Sequence, residues 1–273
     1  MLDSGVHLTT VECGYGDRPF ECGGTPGVNH VGVRSRTLVW NKEALINIGM
    51  SRLPEDWKYM AWLDADISFR RSDWAAETVQ ALQQYDVVQP WSDCYDLGPD
   101  EEHLQVHRSF CRLVHERKPI VPAGGYGYEF AHPGFAWAAT RQALEQVGGL
   151  VEAALGAGDH HMALALIGRV HESVPAGIHP NYMAALVPWQ ERAQHHIAGN
   201  IGYISGTIEH HWHGPKERRG YISRWGILTK HRFDPVADLK RNTYGVPELA
   251  GNKPELRRDI DCYFRSRAED ANT

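Results

Sequence analysis

Tyr59-Met-Ala-Trp-Leu63, running directly into Asp64-Ala-Asp66-Ile-Ser-Phe69, is the stretch on which the fold and the chemistry turn. Five residues without a charge, rich in large apolar groups, read as a short strand buried on both faces. Such a strand ending in two acids is expensive unless those acids meet solvent, a cation or hydrogen-bond donors. Two apart in an extended chain, Asp64 and Asp66 would face the same side. Ligands of α/β sheets bind at the carboxyl ends of strands, where paired carboxylates suit a hard divalent ion set against a diphosphate. The Asp-x-Asp pattern is weak alone: Asp259-Ile-Asp261 also fits it, in a charged tail that reads as helix. A helix cap or a strand-end turn would account for the two acids as well.

Outward from this point, strands read at residues 6–12, 31–39, 86–90, 135–139 and 202–212. Helices read at 41–53, 73–85, 141–147, 159–168 and 181–198, the last kinked at Pro188. Residues 92–131 read as mixed and loop-rich. Strands and helices taking turns predict an α/β fold with a mostly parallel sheet flanked by helices. One domain over 1–233 and a helical C-terminal extension over 234–273 are expected.

With 273 residues, 42% hydrophobic and 23% charged, the chain can bury a sizeable core. It has no run of 18 apolar residues, so no membrane-spanning helix is expected. The start lacks a basic-then-apolar leader, which argues against secretion. The five cysteines are odd in number and form no CxxC pair, pointing to reduced thiols in a cytoplasm rather than to disulfides or a zinc ribbon. Net charge is −6, yet residues 216–232 hold six basic groups to one acid. A local basic stretch on an acidic protein suits a phosphate-bearing ligand, or is simply a solvated face.

Three blocks carry a resemblance. Trp40-Asn-Lys-Glu-Ala-Leu-Ile-Asn-Ile-Gly49 precedes the apolar strand and Asp-Ala-Asp. Then come Gly134-Phe-Ala-Trp-Ala-Ala139, Leu144-Glu-Gln-Val-Gly-Gly-Leu150 and Gly158-Asp-His-His-Met162. Last is His210-His-Trp-His-Gly-Pro-Lys-Glu-Arg218. In this order they resemble the GT-A (Rossmann-like) glycosyltransferases, in particular the β-1,4-galactosyltransferase pattern. The resemblance implies a nucleotide-sugar donor, first of all a UDP-hexose, with Mn²⁺ or Mg²⁺. It implies that Asp64 contacts the donor or the metal and that Asp66 binds the metal. It implies a late histidine ligand, His213 or else His211; those two share a face if the strand runs on, with His210 facing away. Arg34, Arg36, Asn41, Lys42, Lys216 and Arg219 become donor-binding candidates, Arg218 joining them at the diphosphate. Asp159 matches the family's catalytic acid, although it also fits a helix cap. Gly158 stands where the family has Glu, which leaves the proton acceptor open between Asp159 and a neighbour such as His160 or His161. GT-A folds open with a strand and helix that hold the base, whereas this chain begins almost at the second strand.

Tyr126, Tyr128, Phe135 and Trp137 offer flat rings to an acceptor, with core the preferred reading of the last two. The chain also resembles small phage-encoded and base J-associated transferases. That implies 5-hydroxymethylpyrimidine in double-stranded DNA as acceptor, met by Arg218, Arg219, Arg224, Lys230 and Arg232. A hydroxyl of a bacterial surface glycan or small molecule is the alternative acceptor. A metal hydrolase would need further ligands with their own spacing, and an inactive sugar-nucleotide-binding relative would turn nothing over.

Overall fold

A computed structural model describes residues 4–120 and 131–267, with Lys216 and Glu217 described in backbone only. Tyr126 and Tyr128 lie outside the described residues, as does the side chain of Lys216. The first half runs β1 (Leu8–Tyr15), β2 (Val28–Ser35), α1 (Lys42–Met50), β3 (Tyr59–Leu63), β4 (Ile67–Phe69), α2 (Trp74–Ala81) and β5 (Val87–Gln89). The middle runs β6 (Asp93–Leu97), β7 (His103–Ser109), α3 (Phe110–His115), β8 (Ala131–His132), β9 (Ala136–Thr140), α4 (Arg141–Val147) and α5 (Gly158–Leu166). The last third runs α6 (Pro180–His196), β10 (Ile201–Tyr203), β11 (Thr207–His210), α7 (Arg224–Lys230), α8 (Pro235–Asp238), β12 (Leu239–Arg241), β13 (Pro247–Leu249) and α9 (Pro254–Ser266).

The class is α/β, but the sheets are mixed rather than mostly parallel. One has the order β10-β5-β9-β3 and another β4-β11-β6-β7-β8, beside the pairs β1-β2 and β12-β13. β9 lies between β5 and β3 and is antiparallel to both. β6 and β7 form an antiparallel hairpin, inside the stretch read as loop-rich. Alternation of helix and strand counts elements without fixing which strands become neighbours, and an antiparallel neighbour needs no crossover helix. β3, expected to be buried on both faces, is an edge strand in which only Trp62 is buried.

The single strand expected over 202–212 is two. β10 pairs with β5 in one sheet and β11 with β6 in the other, both in parallel. Between them the amide of Ile204 donates to the Gln89 carbonyl and that of Ser92 to the Gly206 carbonyl. The segments β5–β6 and β10–β11 thus cross together from sheet to sheet, carrying the end of β11 towards the 64–66 turn.

Helix α5 is buried almost all round, as its apolar run Met162-Ala-Leu-Ala-Leu166 demands. Its one interior polar group is satisfied: His161 Nδ1 meets Ser173 Oγ at 2.7 Å and Nε2 meets Tyr182 Oη at 3.0 Å. Gly156 and Ala157 turn the chain into the helix with φ of 86° and 81°. Alanines 136, 138 and 139 of β9 are fully buried, so helices approach the sheet closely. Burying each large side chain of α5 contributes roughly 1.5–3 kcal/mol, and Leu164→Ala would cost about 2–5 kcal/mol. This packing fixes the first turn of α5, where Asp159 sits. Pro188 lies inside the continuous helix α6.

Residues 234–267 hold a strand pair as well as helices. Glu248 Oε1 accepts from the Arg36 amide at 2.8 Å, and the Leu249 amide donates to Thr37 Oγ1 at 2.9 Å. Leu256, Ile260 and Tyr263 of α9 enter the main core.

Candidate functional site

The Asp-x-Asp segment is bent. β3 stops at Leu63, residues 65 and 66 form a turn, and β4 starts at Ile67. The two carboxylates therefore face different partners, contrary to the extended reading. Asp64 Oδ1 accepts from Lys42 Nζ at 2.6 Å and Oδ2 from the Phe135 amide at 3.3 Å. Its own amide donates to the Phe135 carbonyl at 2.7 Å. Asp66 turns towards β11.

Strand register decides which histidine Asp66 meets. Along β11 the alternation places Ile208 and His210 inward. Glu209 pairs outward with Arg70, Nε to Oε1 at 2.9 Å. His211 joins Ser68, Nε2 to Oγ at 2.7 Å, away from Asp66's carboxylate. The strand ends at His210, so the chain turns and His213 comes back to the side of His210. His213 Nε2 lies 2.9 Å and His210 Nε2 3.4 Å from Asp66 Oδ2, with the two imidazole nitrogens 3.2 Å apart. His211 and Asp64 are outside the converging group, which is Asp66, His210 and His213 with ligand atoms within 4.8 Å of one another. The expectation that His210 faces away failed because it assumed an extended chain through residue 213.

Two observations fit this group to a divalent ion. Asp66 Oδ1 is buried without a hydrogen-bond partner. His210 Nδ1 is engaged by Asp96 Oδ1 at 2.6 Å, which frees Nε2 to face the group, the carboxylate–histidine support usual behind a metal ligand. Burial opposes ionisation of Asp66, but hydrogen bonds from His210 and His213 overcome it and hold the carboxyl well below its ordinary range. Two imidazoles and one carboxylate suit a first-row transition ion better than Mg²⁺, which prefers oxygen ligands.

On the other side of the 64–66 turn lies a pocket lined by Lys42, Glu43, Asp64, Gly134, Phe135 and Asp159. Phe135 joins pocket and histidines. Its ring stacks on His132 at 4.0 Å and lies 4.9 Å from that of His210. Its φ of 75° is strained for an aromatic residue and marks the position as functionally interesting. A side chain at Gly134 would bring its Cβ to 3.1 Å from Asp159 Oδ2, so glycine lets the acid lie against bare backbone. Asp159 occupies the first turn of α5 and accepts from the His160 amide at 2.8 Å. Burial lowers His160 below the usual histidine value, Asp159 opposing and Arg224 reinforcing. Burial also works against the charge of Lys42, but Asp64, Asp159 and Glu43 outweigh it and hold the ammonium above the ordinary lysine value.

Glu43 was not singled out in the sequence. Its only trace there is indirect, a glycine at 158 where the resembling pattern carries an acid.

The remaining candidates are not at this pocket. Arg34 Nη1 donates to the carbonyls of Gly16 and Arg18, and its guanidinium lies 4.6 Å over the Phe20 ring. Arg36 meets Glu248. Asn41 is buried ahead of α1, with its side chain directed to the Cys13 thiol and the Tyr15 hydroxyl rather than to the pocket. Arg219 is buried; Nη2 donates to the Gly214 carbonyl at 3.5 Å, bracing the loop after His213. Arg224 Nη1 donates to the Leu155 carbonyl, and Lys230 pairs with Asp259. Trp137 is core, as preferred. Of the basic residues offered to DNA, Arg218, Lys230 and Arg232 are exposed.

No family model matches the chain, and no curated protein matches it. Among solved structures, it is similar to the catalytic domain of Drosophila beta1,4-galactosyltransferase 7 in complex with xylobiose, at 16% identity and a TM-score of 0.26. The match covers 54% of this chain, which spans about half of that structure, 49% of it. A likeness so distant carries no argument. Among the described residues no helix is long and apolar enough to cross a membrane.

Proposed function

We propose that this protein is a metal-dependent GT-A-type glycosyltransferase that moves a hexose, first of all from a UDP-sugar, to a hydroxyl group with inversion. The convergence of Asp66, His210 and His213, next to a pocket holding a carboxylate in the first turn of a buried helix, carries the reading. The order of the sequence blocks supports it.

A divalent ion bound by those three side chains would hold the donor diphosphate and offset its charge as the sugar leaves. Asp64, fixed by Lys42 and the Phe135 amide, keeps the role of donor contact. Asp159 takes the proton from the acceptor hydroxyl as that oxygen attacks the anomeric carbon. His160, less basic than usual through burial, is the second choice for that proton.

For the acceptor we favour a sugar or small-molecule hydroxyl. Hydroxymethylated DNA loses support because Arg219 is buried and both Arg219 and Arg224 bond to backbone carbonyls, which weakens the phosphate contacts that affinity would need. The test is hydrolysis and transfer across a panel of nucleotide sugars with and without Mn²⁺. Mn²⁺-dependent release of nucleoside diphosphate is expected; no turnover of any donor under either condition would remove the reading.

A further inference from the structure

Glu43 is buried where an acid in a first helical turn ordinarily faces solvent. It is the second residue of α1, 2% exposed, with its carboxyl in the space that Gly158 leaves free. A Cβ on Gly158 would lie 2.5 Å from Glu43 Cδ and Oε1, so the missing side chain of α5 is what seats the acid from α1. The group borders the same pocket as Lys42, Asp64 and Asp159. Its Oε2 is buried and has no hydrogen-bond partner, an arrangement that is costly unless a ligand completes it.

The charged and titratable groups that face Glu43 are Lys42 on its own helix, Asp64 on the 64–66 turn, Asp159 on α5 and the hydroxyl of Tyr182 on α6. Three carboxyls surround a single ammonium. Lys42 is committed to Asp64 at 2.6 Å. Asp159 is only partly buried and accepts a backbone amide. Glu43, the most enclosed of the three, has only the charge of Lys42 and its own backbone amide to set against its burial, and burial makes it the one that keeps a proton near neutrality.

We propose that Glu43 is a sugar-binding residue of this pocket: its free Oε2 donates to the one water that the enclosed space of about 10 Å³ admits, and that water meets an oxygen of the hexose bound at the pocket mouth. The identity of the ligand rests on the glycosyltransferase reading. Burial, reinforced by Asp159 and opposed by Lys42, raises the Glu43 carboxyl to about 8, so the donor is present at neutral pH and lost in alkali. Gly158 is then a second specificity position: its bare backbone lets an acid from another helix serve the site.

Glu43→Gln and Glu43→Ala test this against wild type, using Mn²⁺ with UDP-hexoses and, for comparison, UDP alone. In wild type the KM for the nucleotide sugar should rise as pH passes about 8, while the affinity for UDP does not follow. Glu43→Gln, whose amide donates at every pH, should lose that alkaline limb. Glu43→Ala should raise KM roughly tenfold at neutral pH, as expected for one lost hydrogen bond, with UDP affinity unchanged. An unaltered alkaline limb in Glu43→Gln, or an unaltered KM in Glu43→Ala, overturns the proposal.

Thermal unfolding without ligand separates this from failure of the functional reading. With Glu43 protonated in the fold and ionised in the unfolded chain, wild type should lose melting temperature relative to Glu43→Gln between about pH 5 and 8. Parallel curves would show Glu43 charged and sink the inference whatever the ligand. The predicted divergence, with no turnover of any nucleotide sugar and no binding of UDP, would instead leave the acid as described and overturn both the hexose and the reading it rests on.

Discussion

His210 and Asp96 stand opposite one another on the parallel strands β11 and β6, Nδ1 to Oδ1 at 2.6 Å. The register of two buried strands therefore sets both the tautomer and the direction of a candidate metal ligand. Asp96→Asn should weaken Mn²⁺ binding by about 10–100-fold with the three ligands untouched. Titration of Mn²⁺ by calorimetry checks this; wild-type affinity in the variant would remove Asp96 from the account.

Asp159 is held by the rigid packing of α5 rather than by a loop, so its carboxylate should act on the acceptor and not on the donor. Asp159→Asn is expected to lower turnover on the order of 10²–10⁴ while nucleotide-sugar affinity stays nearly intact. Steady-state kinetics alongside direct donor binding would read the split. Near-normal turnover would hand the proton to His160.

The seat shared by Gly158 and Glu43 predicts a coupling. Gly158→Ala forces its Cβ into the Glu43 carboxyl and should destabilise the protein by about 1–3 kcal/mol, the usual range for overpacking. In a Glu43→Ala background the same change should do much less. Denaturant unfolding of the four chains gives the coupling term, and additive effects would mean that the two residues do not compete for space.

Burial holds His161 well below its ordinary 6.5. Below that value the unfolded chain binds the proton more readily than the folded one, so stability rises with pH there. The contribution is complete above about 6.5 and is lost as pH falls towards the depressed folded value. Melting of wild type and His161→Gln at pH 5 and 7.5 should show a smaller acid loss in the variant. Equal losses would place the acid sensitivity elsewhere among the histidines.

Where the sequence carried its own punctuation, the fold was legible. Thr140 caps α4 by accepting from the Ala143 amide, and Gly148 and Gly149, both at positive φ, close it, so that helix was readable to the residue. The β6–β7 hairpin was not: Leu104 and Val106 are exposed while His107 is buried, the reverse of a hydrophobic pattern. Asp66 and His213 were readable as candidate ligands from motif order. His210 was not, because choosing it over His211 requires knowing that β11 ends at residue 210, a fact of register with β4 and β6. Glu43 was hidden further still, since a charged residue in a first helical turn ordinarily faces solvent and only the glycine on another helix explains why this one does not.

Whether Asp66, His210 and His213 form one metal centre is decided by Mn²⁺ binding in the presence of UDP, followed by electron paramagnetic resonance or calorimetry. One tight Mn²⁺ site per chain is expected, lost in Asp66→Ala, His210→Ala and His213→Ala and retained in His211→Ala. Binding that survives all three ligand substitutions, or that disappears with His211 instead of His210, would contradict it.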